Sequence, residues 1–213
     1  MAKDYPYLIT DRCPFTWPHL NEPDREYQTD GEYNVTCILP ADDPILAKIE
    51  AIRDEFYPMI CDQEGKKITT KKPLPIKQAA LPFKVEEDDE GEETGNITLR
   101  PKAKALVRYT NRSGEKKSFS FRPDIVDASG TRPVTDPIGG GTQGKVRFEI
   151  VPYYTPLMGM GVTLRLKAVQ ILDLVAYGGN NLEGFEKEDG FEAKEAFADE
   201  TVTIHTGDED GDF

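Results

Sequence analysis

Histidine, cysteine and long apolar runs are what this chain has least of. Its 213 residues include two histidines, His19 and His205, together with three cysteines and one tryptophan. So few histidines leave histidine-based acid–base and nucleophilic catalysis poorly supplied. Cys13, Cys37 and Cys61 are odd in number, far apart in sequence and without CxxC spacing. That excludes a disulfide framework or zinc knuckle and predicts buried or idle thiols. No apolar stretch reaches the ~18 residues of a membrane span, and no charged-then-apolar leader follows Met1. A cytoplasmic chain with no membrane partner is expected. Internal repeats are absent as well.

Charge is abundant, and its distribution is informative. The chain ends in Asp208-Glu-Asp-Gly-Asp-Phe213, an acidic run closed by one aromatic residue. From Glu183 to Phe213 there are twelve acids and two bases, a net −10; Glu86 to Glu93 adds seven acids and no base. Setting both aside turns the formal −13 of the whole chain into +4 for the remainder. Like charges in a block repel one another and stay solvated, so the tail reads as a disordered interaction segment with the opposite sign to its own body. Roughly 180 residues remain, which suits one folded domain, 1–182, followed by the tail, 183–213.

The first 30 residues set Tyr5, Tyr7, Phe15 and Trp17 among prolines, as an extended arm or first strand. Tyr33 to Leu39 alternates and stops at Pro40, as a half-buried strand should. Asp43 as cap, Pro44 in the first turn, and Ile45, Ile49, Ile52 and Phe56 at helical spacing predict one early α-helix, ended by Pro58. A lysine-rich loop from Lys66 to Lys84 and the acidic insert, read as a flexible loop, come next. Ile97–Arg108, Lys117–Arg122, Lys145–Tyr154 and Val162–Leu174 then read as strands separated by Gly, Pro, Asn and Asp turns. Several short strands with one early helix and long loops predict a mainly β fold, best matched by a five-stranded OB barrel.

The strand period of two puts Lys145, Arg147, Glu149, Val151 and Tyr153 on one face and Val146, Phe148 and Ile150 on the other. The following strand repeats the division, with Val162, Leu164 and Leu166 inward and Thr163, Arg165 and Lys167 outward. Between Arg100 and Arg147 eleven bases face four acids, a net +7. Cations track a phosphate backbone, and aromatic rings stack on bases whatever their sequence. The candidate DNA-binding residues are therefore Tyr153, Lys145, Arg147, Arg165, Lys167, Tyr109, Arg108 and Trp17. Phe15 is a weaker stacking candidate; Phe119 and Phe121, at period two, read as core.

Two chemistries fail on their motifs. Gly139 to Lys145 has the spacing of a phosphate-binding P-loop, but Val146 stands where Ser or Thr must bind magnesium, and the segment opens a strand. It reads as a tight glycine turn. Metal-dependent hydrolysis would need carboxylates held rigidly, which a flexible Glu86–Glu93 loop cannot supply. No catalytic residue, metal or cofactor is expected.

Pro137-Ile-Gly-Gly-Gly-Thr-Gln-Gly-Lys-Val-Arg-Phe-Glu-Ile-Val-Pro-Tyr153, Gly161 to Leu174, Tyr177-Gly-Gly179 and the ending Asp208 to Phe213 resemble the replication single-stranded DNA-binding proteins of short-tailed bacteriophages. Tyr33 to Pro40 and Asp43-Pro44 are similar to the same family's early strand and helix start. The resemblance implies an OB fold that coats single strands without sequence preference in phage replication and recombination, inside the infected host. It implies that Tyr153 and nearby cations line the groove. The tail, through Asp208, Glu209, Asp210, Asp212 and Phe213, would contact the phage DNA polymerase and primase-helicase, and a homodimer is a further implication. Two rival functions stand beside it: an acidic DNA mimic, which the +4 body disfavours, and a metal-dependent nuclease.

Overall fold

A computed structural model describes residues 4–26, 28–65, 76–88, 90–111 and 113–176. The expected tail 183–213, with Asp208, Glu209, Asp210, Asp212 and Phe213, lies outside the described residues. The elements run β1 (Tyr7–Ile9), β2 (Cys13–Asp24), β3 (Glu32–Pro40), α1 (Pro44–Gly65), β4 (Phe83–Glu87) and β5 (Glu93–Leu99). They continue with β6 (Lys102–Lys104), β7 (Leu106–Thr110), β8 (Lys116–Ser120), β9 (Asp124–Val126), β10 (Gln143–Thr155) and β11 (Gly159–Asp173).

Strand β10 shows why these residues form a sheet. Val146, Phe148 and Ile150 are fully buried, while Lys145, Arg147 and Glu149 between them face outward. The next strand, β11, pairs with it antiparallel from Gln143↔Asp173 to Thr155↔Gly159, with an extra residue accommodated after Arg147. From there the pairing path runs to β6 in parallel, to β3 and β2 antiparallel, and back to β10 through Cys13↔Gly144. It returns to its start, in the order of a five-stranded OB barrel. Gly144 makes that closure possible, because a Cβ there would stand 2.6 Å from the Phe15 ring and 2.4 Å from the Gln170 carbonyl. Phe15, Val35, Leu99, Phe148 and Leu166 fill the interior at full burial.

The helix starts as expected: Asp43 Oδ1 accepts the Ile45 N–H at 2.8 Å, and Ile45 and Ile49 are buried. It does not stop at Pro58, which lies inside it. A proline interior to a helix removes one backbone bond. Tertiary packing holds the turns beyond: Ile60 joins the core, and Tyr57 donates its hydroxyl to the Ile76 carbonyl at 2.5 Å. The segment read as one strand from Ile97 to Arg108 is three, broken at Pro101 and Ala105.

The acidic insert falls where β4 and β5 form a hairpin, with Glu86 and Glu87 ending β4 and Glu93 starting β5, and Asp88 Oδ1 accepts the N–H groups of Glu90 and Glu92, both at 2.9 Å. Cys13 and Cys37 are buried neighbours on β2 and β3; the contact with Cys13 and burial both push the Cys37 thiol well above its usual range, so it stays neutral. In the glycine loop, fully buried Thr142 exchanges hydrogen bonds with the backbone of Val175 at 3.1 and 3.2 Å. That is a structural turn leading into β10.

Candidate nucleic-acid interface

The outward-facing residues of six strands fall into register. His19 on β2 lies opposite Asn34 on β3, Asn34 opposite Lys102 on β6, Lys102 beside Arg165 on β11, Arg165 opposite Glu149 on β10, and Glu149 opposite Tyr7 on β1. At about 4.8 Å between strands this row follows roughly 24 Å of barrel surface. A step of two along each strand adds Lys104, Lys167, Arg147 and Ile9 on one side. The same step the other way reaches Thr36, Arg100 and Thr163. Arg100, Lys102, Lys104, Lys145, Arg147, Arg165 and Lys167 thus lie on one continuous face, as cations that follow a polyanion must.

Four of the expected cations, Lys145, Arg147, Arg165 and Lys167, stand together on the β10–β11 half of this face, and the last three are held by neighbouring side chains. Glu149 takes Arg165 at 3.4 Å and Lys167 at 3.3 Å. The Arg147 guanidinium sits 4.2 Å over the Tyr7 ring, Arg165 5.6 Å over Tyr5, and Lys167 5.9 Å over Phe121. Cation–π contacts of this kind orient a side chain while leaving its charge available. Tyr153 is on the same face, as strand parity requires. It is half-buried, its ring resting on Gly161 and beside Ala79. Past Glu149 the face is covered: Val151, of outward parity, is buried, Phe56 of α1 meets Tyr5 edge-on, and α1 packs against β10 and β11.

Trp17 stands on the β2 side of the row, in an irregularity of the strand between Thr16↔Thr36 and His19↔Asn34. It is 81% exposed and has φ +48°, the one non-glycine among the described residues with positive φ. An L-residue pays roughly 1–2 kcal/mol for that conformation, and such strain concentrates at functional positions.

Tyr109 and Arg108 are elsewhere, on the β7–β8 ribbon, which forms a sheet of its own. Tyr109 and Phe119 make an exposed edge-on pair with centroids 6.2 Å apart, and Arg108 is anchored to Asp30 at 2.6 Å. Phe119 is therefore not core: the ribbon leaves the barrel after Ala105, and the Phe119 ring stays exposed. Phe121 does pack against the core, because its N–H returns to the Ala105 carbonyl at 2.8 Å. Sequence reasoning missed Tyr5, Tyr7, His19, Asn34, Arg100, Lys102 and Lys104 as parts of the face. The spacing of Arg100, Lys102 and Lys104 at period two is a usable signal; His19 and Asn34 leave none.

Comparison with known proteins bears on this geometry. The sequence profile of the family described as single-stranded DNA-binding protein, bacteriophage T7, matches residues 11–174. The single-stranded DNA-binding protein of Escherichia phage T7 is 26% identical over 206 residues, covering 86% of this chain and 85% of that protein. Its counterpart from Enterobacteria phage T3 is 30% identical over 124 residues, 56% of this chain and 50% of the other. The crystal structure of the single-stranded DNA-binding protein encoded by bacteriophage T7 superposes with a TM-score of 0.62 at 23% identity, across 90% of this chain and 100% of that one. The fold is shared.

Proposed function

The chain belongs to the bacteriophage T7 single-stranded DNA-binding protein family, and from that premise we propose that it coats single-stranded DNA without sequence preference during phage replication and recombination in the infected host. The observation that carries this reading is the register row from His19 to Tyr7, which with its neighbours along the strands gathers Arg100, Lys102, Lys104, Arg147, Arg165 and Lys167 on one face, with the exposed rings of Trp17 and Tyr7 toward its two ends. Lys145, Arg147, Arg165, Lys167, Lys102 and Lys104 hold phosphates. Trp17 and Tyr7 stack bases, and the ribbon residues Arg108 and Tyr109 extend the contact; Tyr153, half-buried over Gly161, supports the covered end of the face. The relatives are named for binding, not for a reaction, and the chain acts without catalysis.

The acidic tail 183–213 competes with DNA for the cationic face and recruits the phage DNA polymerase and primase-helicase through Asp208, Glu209, Asp210, Asp212 and Phe213. A tethered −10 segment is present at high effective concentration, so DNA must displace it. A homodimer accompanies this arrangement.

Titration of a fluorescent oligonucleotide over a salt series tests the reading. If about four to six phosphates are neutralised, log K against log salt has a slope of roughly −3 to −4. A slope near zero overturns it. Deleting 183–213 tightens binding at low salt, and the gain shrinks as salt rises. Cleavage of a labelled strand with magnesium would favour a nuclease instead.

A further inference from the structure

Asn34 is second in the row, fully buried although its strand parity is outward, between His19 on β2 and Lys102 on β6. Arg100 donates a hydrogen bond to its Oδ1 at 3.2 Å. A guanidinium offers only donors, so the amide oxygen must face it and the NH2 group must point elsewhere. That Nδ2 has no hydrogen-bond partner, and among the described residues Asn34 is the one buried side chain of which this holds. A buried donor without an acceptor costs stability, and an apolar residue of the same shape would remove that cost. The position is flanked by Arg100 and Lys102, so the acceptor that suits it carries negative charge. Glu32, which holds Lys102 at 3.4 Å, is the acid beside this part of the row, and it does not reach the amide.

We propose that Asn34, Arg100 and Lys102 form a phosphate-binding subsite in which one non-bridging oxygen of a DNA phosphodiester accepts the Asn34 Nδ2–H. The inference rests on the DNA-binding reading and adds to it a neutral donor. Arg100, exposed to solvent, keeps its bond to Oδ1 and offers its remaining N–H groups to the same phosphate.

The test uses the full chain, with Asn34→Leu and Asn34→Asp beside the wild type, titrated with oligo-dT, oligo-dA and a mixed oligonucleotide of equal length. Asn34→Leu melts at or above the wild-type temperature, because it removes a donor with no partner. It binds all three oligonucleotides at least about tenfold more weakly, as loss of a hydrogen bond to a charged group predicts. Its salt slope is unchanged, since a neutral amide displaces no counterion. Asn34→Asp keeps the contact to Arg100 but places an anion in the subsite. It weakens binding further and flattens the slope by about 0.7 as Arg100 is neutralised. Wild-type affinity in either folded variant overturns the proposal. So does a loss confined to one base composition, which would mean a base edge occupies the site. Failure of the wild type to bind any single strand would instead sink the functional reading itself.

Discussion

Where β10 and β11 carry the cationic face, Glu149 lies within 3.4 Å of both Arg165 and Lys167, and Tyr7 underlies Arg147. Where β2, β3 and β6 carry it, Trp17 is exposed in a left-handed backbone, and Asn34 is buried with an unused donor. The first half is satisfied as it stands, its charges already oriented and partly balanced. The second half holds strain and an open bonding position. A preorganised half supplies field and steering at little reorganisation cost. An unsatisfied half has more to gain from a ligand, because binding completes bonds that folding left open.

Both halves hang on one interior, so the largest effect removes the distinction altogether. Phe148 is fully buried beneath them. Phe148→Ala is expected to cost about 3–5 kcal/mol of stability, measured by guanidinium unfolding. A loss below about 1 kcal/mol would mean that the barrel interior can collapse around the gap.

Trp17→Ala sharpens the contrast between the halves. It weakens single-strand binding by about 1–3 kcal/mol with an unchanged salt slope, since stacking releases no counterions. Tyr7→Ala has the smaller effect, because one face of that ring is already taken by Arg147. An equal loss in the two variants would erase the difference between the halves.

Glu149→Gln releases Arg165 and Lys167 from their shared acid. Affinity for DNA rises at low salt, and the slope steepens by up to about 0.7 for each phosphate newly engaged. Stability falls by roughly 0.2–1 kcal/mol, the usual contribution of partly exposed ion pairs. An unchanged slope would show that Glu149 never restrained the cations.

The smallest effect concerns Trp17's backbone. Trp17→Gly relieves roughly 1–2 kcal/mol of left-handed strain, offset by about 0.5–1 kcal/mol of added unfolded-chain freedom. A net gain near 0.5 kcal/mol in thermal unfolding is expected, with DNA affinity falling as for alanine. If the glycine variant is less stable, the tryptophan ring packs in a way its exposure conceals.

Much of the β10–β11 half is legible in the sequence alone. Lys145, Arg147, Arg165 and Lys167 alternate with apolar residues inside single strands, and that period is local. The Asp43 cap and the helix start are local too. The end of α1 is not, because Pro58 is overruled by contacts from Ile60 and Tyr57 that no window of sequence contains. Phe119 and Phe121 share a period and part company because the ribbon leaves the barrel between Ala105 and Phe121.

By itself the sequence determined which side chains share a face of a strand, where charge of each sign is stored, and that a mainly β fold must result. These follow from backbone geometry and composition, which act over a few residues. Only the tertiary structure decided that Trp17 and Tyr7 flank one row, that Glu149 stands between two cations, and that Asn34 is enclosed beside Arg100. Those neighbours are brought together by the register of six strands and the closure of β2 onto β10, where a shift of one residue would turn each strand's outward set to the inside.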